Sequence, residues 1–175
     1  MYLLLSPAPI LYADMEISQA IKNSSKNKKS YTPTTTLKGI EIPVRYEVKR
    51  SSAGLGLYAT EKIKKGETII EYVGNIIDDE QASKKSKCMY IFEVKKNVNI
   101  DGSPRWNIAR YANYSCDPNA ESENNRGRIY IVATKNISVG GEITFDYGEE
   151  HVNEHIKPHG CLCGTKKCKL RKSRM

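Results

Sequence analysis

Arg110-Tyr111-Ala112-Asn113-Tyr114-Ser115-Cys116-Asp117-Pro118-Asn119 places one of the chain's five cysteines in a turn-rich segment. Farther along, Cys161, Cys163 and Cys168 form C-x-C-x4-C in a stretch of little hydrophobic content, with Pro158 and Gly160 before it and Gly164 inside it. Three thiolates so close in sequence cannot all pair as local disulfides, but they can take three corners of a tetrahedral zinc site. Cys116 is the best candidate for the fourth corner, because Cys88 falls at the start of an expected strand. His159 or His155 is the alternative fourth ligand, and a redox pair with free thiols is the competing reading. Thiolate ligation of zinc suggests a reducing, intracellular site of folding.

Upstream of this segment the texture is of short β-type runs. Val44, Tyr46 and Val48 alternate with polar residues, and Thr68 to Val73, Met89 to Val94 and Ile129 to Thr134 are rich in β-branched and aromatic residues. The separators Ala53-Gly54-Leu55-Gly56, Lys65-Gly66, Asp101-Gly102 and Gly140-Gly141 can each supply the positive φ of a tight turn. Only Asp78 to Ser86 and Glu149 to His155 read as short helices. The fold expected is mainly β, in small sheets. The absence of a βαβ rhythm removes the usual glycine-turn nucleotide site, so Gly54-Leu55-Gly56 alone reads as a hairpin turn.

The chain's 175 residues, 39% apolar and 27% charged, fit one globular domain with modest tails. No apolar run approaches the roughly 18 residues a membrane helix needs. The net charge of +8 is uneven: residues 1–50 carry +4, residues 51–165 carry −2, and the last ten carry +6. A tail holding Lys166, Lys167, Lys169, Arg171, Lys172 and Arg174 can draw in phosphate or an acidic protein surface, and reads equally as a solvated terminus. Met1 to Ala13 is apolar but holds Pro7 and Pro9 with no positive charge before it, a poor signal peptide. Residues 22–36 are polar without hydrophobic period and are expected to form a flexible linker.

Seven features in order carry a resemblance: Gly54-Leu55-Gly56, Glu71-Tyr72-Val73-Gly74, Tyr90-Ile91-Phe92, Ile100-Asp101, the segment from Arg110 to Asn119, Gly141-Glu142-Ile143-Thr144-Phe145-Asp146-Tyr147, and C-x-C-x4-C. Over roughly residues 43–170 the chain resembles a SET-domain protein lysine methyltransferase with a post-SET zinc segment. With only about 40 residues ahead of the domain, the layout resembles compact bacterial members of the family. The resemblance implies an N-terminal extension and linker over 1–41, a SET domain over 42–148, and a post-SET segment with a basic tail over 149–175. It implies several small β-sheets and a pseudoknot, in which the C-terminal segment threads beneath a preceding loop against the usual rules of chain topology.

It implies further that S-adenosylmethionine binds in one cleft, leaving as S-adenosylhomocysteine, and that a substrate lysine enters from the opposite side through a narrow channel. Ala53, Gly54, Leu55 and Gly56 match the turn that holds the cofactor's methionine part. Tyr90, Asn113 and Tyr114 match further cofactor contacts, the last two partly through main-chain groups to adenine, and Leu162 would pack on the adenine ring. Tyr114 departs from the family, which usually has histidine there. Tyr147 matches the catalytic tyrosine and Tyr72 a channel-wall tyrosine, with Phe145 beside them at a position held by phenylalanine or tyrosine. One structural zinc per chain is implied on Cys116, Cys161, Cys163 and Cys168.

Such chemistry asks mainly for positioning, because the sulfonium is already a good leaving group and the nucleophile is a neutral amine. A phenol with a free pKa of about 10 is suited to orienting groups rather than to general-base work. A phenylalanine at 145 leaves room for a methylated amine, so products beyond monomethyllysine are expected. The expected partner is a histone tail or another basic protein presenting a lysine, with weak nucleic-acid contact through the basic ends and no membrane. The expected location is cytoplasmic for a bacterial protein and chromatin for a eukaryotic or host-delivered one. The alternative function is a non-enzymatic, zinc-stabilised module that binds chromatin or nucleic acid.

Overall fold

The computed structural model describes residues 34–37 and 40–170, with side chains from residue 44 onward. The apolar start, the linker as far as residue 33 and the tail from residue 171 lie outside the described residues. The chain divides into two compact units, Met1–Val44 and Arg45–Met175. In the first, β1 (Thr34–Leu37) pairs antiparallel with β2 (Ile40–Pro43). This corrects the linker expected through Thr36. The run Thr34-Thr35-Thr36 has no apolar period, but threonine's branched side chain suits a pleated strand.

The second unit holds two sheets. Strands β3 (Tyr46–Ser51), β4 (Gly54–Ala59), β5 (Thr68–Tyr72), β10 (Ala120–Asn125), β11 (Arg128–Ala133) and β12 (Glu142–Phe145) form one, in the order β3-β4-β12-β10-β11-β5, with the short β9 (Asn113–Tyr114) also on β12. Strands β6 (Asn75–Ile77), β7 (Ile91–Lys95) and β8 (Val98–Asp101) form the other, in the order β6-β8-β7. Each run expected to be a strand is one. Leu57, Ile63, Ile129, Ile131 and Ile143 are fully buried. A cluster of Tyr72, Val94, Ile100, Ala109 and Ile129 joins the two sheets, so a tyrosine from the expected site is also a core residue.

Helix α1 (Asp79–Lys84) starts at a capping box: Asp78 Oδ1 accepts from the Gln81 N–H at 2.8 Å, and Gln81 Oε1 accepts from the Asp78 N–H at 3.2 Å. Helix α2 (Glu149–His151) leaves β12 through Gly148 at φ 86° and widens into a π-helical turn, Val152–Ile156. Positive φ is present at Gly54, Gly66 and Gly140, as three of the four separators require. Asp101-Gly102 differs, since Gly102 has no positive φ. A Cβ there would run into the Tyr72 ring and hydroxyl and into Asn107 Nδ2, so this glycine makes room for a side chain rather than a turn.

Candidate active site

The site is built where the chain crosses itself. The loop from β9 to β10 closes around the end of β12, pairing Thr144 with Asn113 and Phe145 with both Tyr114 and Ala120 in parallel register. Asn119 fixes this crossing with its side chain: Nδ2 donates to the Glu142 carbonyl at 2.8 Å, and Oδ1 accepts from the Thr144 N–H at 2.9 Å. The Ser115 N–H adds a bond to the Phe145 carbonyl at 3.3 Å. Buried backbone groups are thus satisfied in a stretch where ordinary sheet pairing is interrupted.

Just past this clamp, the Tyr147 hydroxyl donates to the Ala112 carbonyl at 2.8 Å. Its ring lies 4.7 Å from Phe145, 5.7 Å from Tyr114 and 5.0 Å from His151, the last two edge-on. Burial pushes its pKa up, so the phenol is neutral across the working pH range. Tyr72 donates its hydroxyl to the Tyr90 carbonyl at 3.0 Å, and burial followed by the neighbouring Tyr147 pushes its pKa up as well. The same Tyr90 carbonyl accepts from the Gly102 N–H at 2.9 Å, and buried Asn107 donates to the Gly102 carbonyl at 3.0 Å.

Three cavities meet here. The largest, about 590 Å³, is lined by Ala53, Leu55, Tyr90, Asn113, Tyr114, Tyr147 and Leu162 among others. A narrow one of about 40 Å³ is lined by Tyr72, Tyr90, Phe92, Phe145, Tyr147 and His151. The third, about 520 Å³, is an open groove carrying Glu93, Glu149, Glu150 and Glu154 beside Lys85 and Tyr147. Among the described residues Tyr147 alone lines all three. Gly54 and Gly56 stand back from the largest cavity. Gly54 serves the β3–β4 turn, and a Cβ on Gly56 would come within 2.5 Å of Glu142 Oε1. The Asn113 amide is used up on Ser51 Oγ, the Leu55 carbonyl and Glu142 Oε1, at 2.8 to 3.0 Å, and ties β4 to β12.

Below the largest cavity lie Cys116, Cys161, Cys163 and Cys168, with all four sulfurs within 4.8 Å of one another. Cys116 Sγ is 3.8 Å from both Cys161 Sγ and Cys168 Sγ. That is nearly twice a disulfide bond, and it matches the edge of a tetrahedron whose centre is about 2.3 Å from each corner, the zinc–thiolate distance. Cys88, His155 and His159 are not in this cluster. The Ser52 hydroxyl donates to the Leu162 carbonyl at 2.6 Å, holding the cysteine segment against the β3–β4 turn.

A family model described as the SET domain matches residues 54–148. The chain belongs to the SET-domain family. It is similar to the Saccharomyces cerevisiae histone-lysine N-methyltransferase, H3 lysine-4 specific, at 36% identity over 65% of this chain and 12% of that protein. It is 35% identical to the Drosophila virilis histone-lysine N-methyltransferase trithorax, over 66% of this chain and 3% of that protein. The Debaryomyces hansenii histone-lysine N-methyltransferase, H3 lysine-36 specific, shares 32% identity over 84% of this chain and 20% of its own length. The chain therefore spans a small part of each of these relatives.

Sequence reading gave the SET domain's aromatic and cysteine positions but passed over three residues. Arg110, quoted only as part of a motif, lines the two cavities that share Tyr90, stacks 4.0 Å over the Tyr90 ring and donates to the Ser103 carbonyl, while its Nε is buried without a partner among the described residues. Asp101 is buried with Lys85 at 2.5 Å. Burial opposes its charge, but Lys85 and Ser103 hold its carboxyl below the usual range. His151 lies between the narrow cavity and the groove. Its only sequence signal was membership of a short helix after Tyr147.

Proposed function

We propose that this SET domain is an S-adenosylmethionine-dependent protein lysine N-methyltransferase that acts on a histone or another basic protein and proceeds beyond monomethyllysine. The observation that carries this reading is the place of Tyr147, which borders the large cavity, the narrow one and the open groove at once. A cofactor in the first and a peptide in the third would be joined only through the second, whose aromatic walls suit the stem of a lysine and exclude water.

The residues fit the cofactor. The cavity is of ligand size, Leu55 and Leu162 offer it apolar surface that is 49% and 61% exposed, and the unpartnered Arg110 Nε is suited to a carboxylate. S-adenosylmethionine supplies a methyl group on a positively charged sulfur. The protein's share is to orient: Tyr147, held by Ala112, and Tyr72, held by Tyr90, fix the channel walls, so that the lysine nitrogen approaches along one line. Both phenols remain neutral, so neither takes up the lysine's proton.

The four thiols fit one structural zinc, which would pin the segment carrying Leu162 to the loop carrying Cys116. The carboxylates of Glu93, Glu149, Glu150 and Glu154 along the groove favour a basic peptide. Labelled S-adenosylmethionine incubated with the protein and panels of histones and cell lysate, followed by mass spectrometry of the labelled lysines, tests the reading. Label on lysine supports it. A zinc-bearing, folded protein that transfers no label is instead a binding module.

A further inference from the structure

The narrow cavity is walled mainly by aromatic and apolar side chains, with Arg110 and His151 as its charged or titratable exceptions. His151 forms part of its wall and of the groove outside, edge-on to Tyr147 at 5.0 Å and 4.5 Å from the His155 ring. Its Nε2 is buried and has no hydrogen-bond partner among the described residues. A buried polar atom left so costs roughly 1–3 kcal/mol, and a protein retains such a group where something else completes it. Burial, followed by the charge of His155, pushes the His151 pKa down to about 4. The ring is therefore neutral, and in the tautomer with hydrogen on Nδ1 its Nε2 is an acceptor.

We propose that His151 is a substrate-binding residue of the lysine channel, its Nε2 accepting a hydrogen bond from the ε-amino group of the target lysine. The proposal rests on the methyltransferase reading and adds a specificity to it. Of the groups able to enter an aromatic channel, a methionine or leucine side chain brings no donor, whereas a neutral lysine amine brings two N–H groups beside the lone pair it must keep free. Tyr72 and Tyr147 have both given their hydroxyl hydrogens to the main chain, to Tyr90 and Ala112. Their oxygens keep lone pairs able to accept, and His151 adds a nitrogen acceptor with no other partner among the described residues. One such bond orients the amine about its Cε–Nζ axis, and it favours a nitrogen that still bears hydrogen over one fully methylated.

The test uses the full chain with a synthetic peptide spanning the lysine labelled in the histone and lysate experiment. His151→Phe keeps an aromatic wall and removes the acceptor, and His151→Gln places an amide oxygen near the same point. The peptide KM is expected to rise about three- to tenfold in His151→Phe, the scale of one net hydrogen bond, and to return towards the native value in His151→Gln. The KM for S-adenosylmethionine serves as the measure of an intact fold and should be unchanged in both. An unchanged peptide KM in His151→Phe overturns the proposal, and so does a His151→Gln protein as impaired as the phenylalanine variant. Either result leaves the methyltransferase reading standing. A native protein that labels no lysine overturns that reading, and this proposal with it.

Discussion

Tyr147 shows how much one hydroxyl can be asked to do without ionising. Its hydrogen is committed to Ala112 and its ring to Phe145, so the oxygen is fixed at the meeting point of the three cavities. Tyr147→Phe keeps the ring packing and removes that fixed dipole. Turnover should fall by about 10²-fold or more, the scale of a lost oriented group, while calorimetry shows cofactor binding little changed. Phe145 lines the channel without a polar atom. In Phe145→Tyr an added hydroxyl would retain water and narrow the space. A time course by mass spectrometry should then show products shifting from di- or trimethyllysine to monomethyllysine, with much of the first transfer preserved. Both residues were legible in the sequence because their motif is local. Asn119 and Asn107 were not, since Asn119 bonds the backbone of Glu142 and Thr144, 23 and 25 residues on, and Asn107 accepts from the Val73 N–H, 34 residues back.

At the scale of elements, the cysteine segment is the part whose structure depends most on a ligand. Cys161 is its one buried residue among those described, and its ties to the domain include Ser52 with Leu162 and Lys167 with Asp117. Metal analysis should find one zinc per chain. Cys116→Ser should lower occupancy as severely as Cys163→Ser, because either removes one corner of the tetrahedron, and Cys88→Ser should leave it unchanged. Spacing alone gave three corners of this cluster; the fourth lies 45 residues upstream of Cys161 and was picked for its turn-rich surroundings over Cys88, with two histidines competing. The β1–β2 hairpin was lost for the opposite reason, as β1, Thr-Thr-Thr-Leu, carries none of the apolar alternation by which strands are recognised and β2 is only four residues long.

For the whole molecule, the response to acid follows from groups whose charge the fold has altered. The folded protein holds His151 neutral down to about pH 4, whereas an unfolded chain protonates the same ring below about pH 6.5. Between those values the unfolded state binds the extra proton, so stability is lost as pH falls through that window and regained as it rises. Asp101 and Glu67, whose carboxyls are held below the usual range, add losses at lower pH still. Melting temperatures measured at pH 7 and pH 4.5 should therefore drop further for the native protein than for His151→Phe.

The loop that closes around β12 also dictates an order of events. During synthesis the loop residues leave the ribosome first and have nothing to enclose, and the main sheet lacks its central strand until Glu142–Phe145 follow. Hairpins such as β10–β11 can form early from neighbouring residues, but the crossing must wait for a distant strand, a slow kind of contact to make. Until that crossing forms, the walls that Tyr114, Phe145 and Tyr147 give to the cavities are not assembled. The pockets are therefore a property of the finished crossing rather than of any one hairpin.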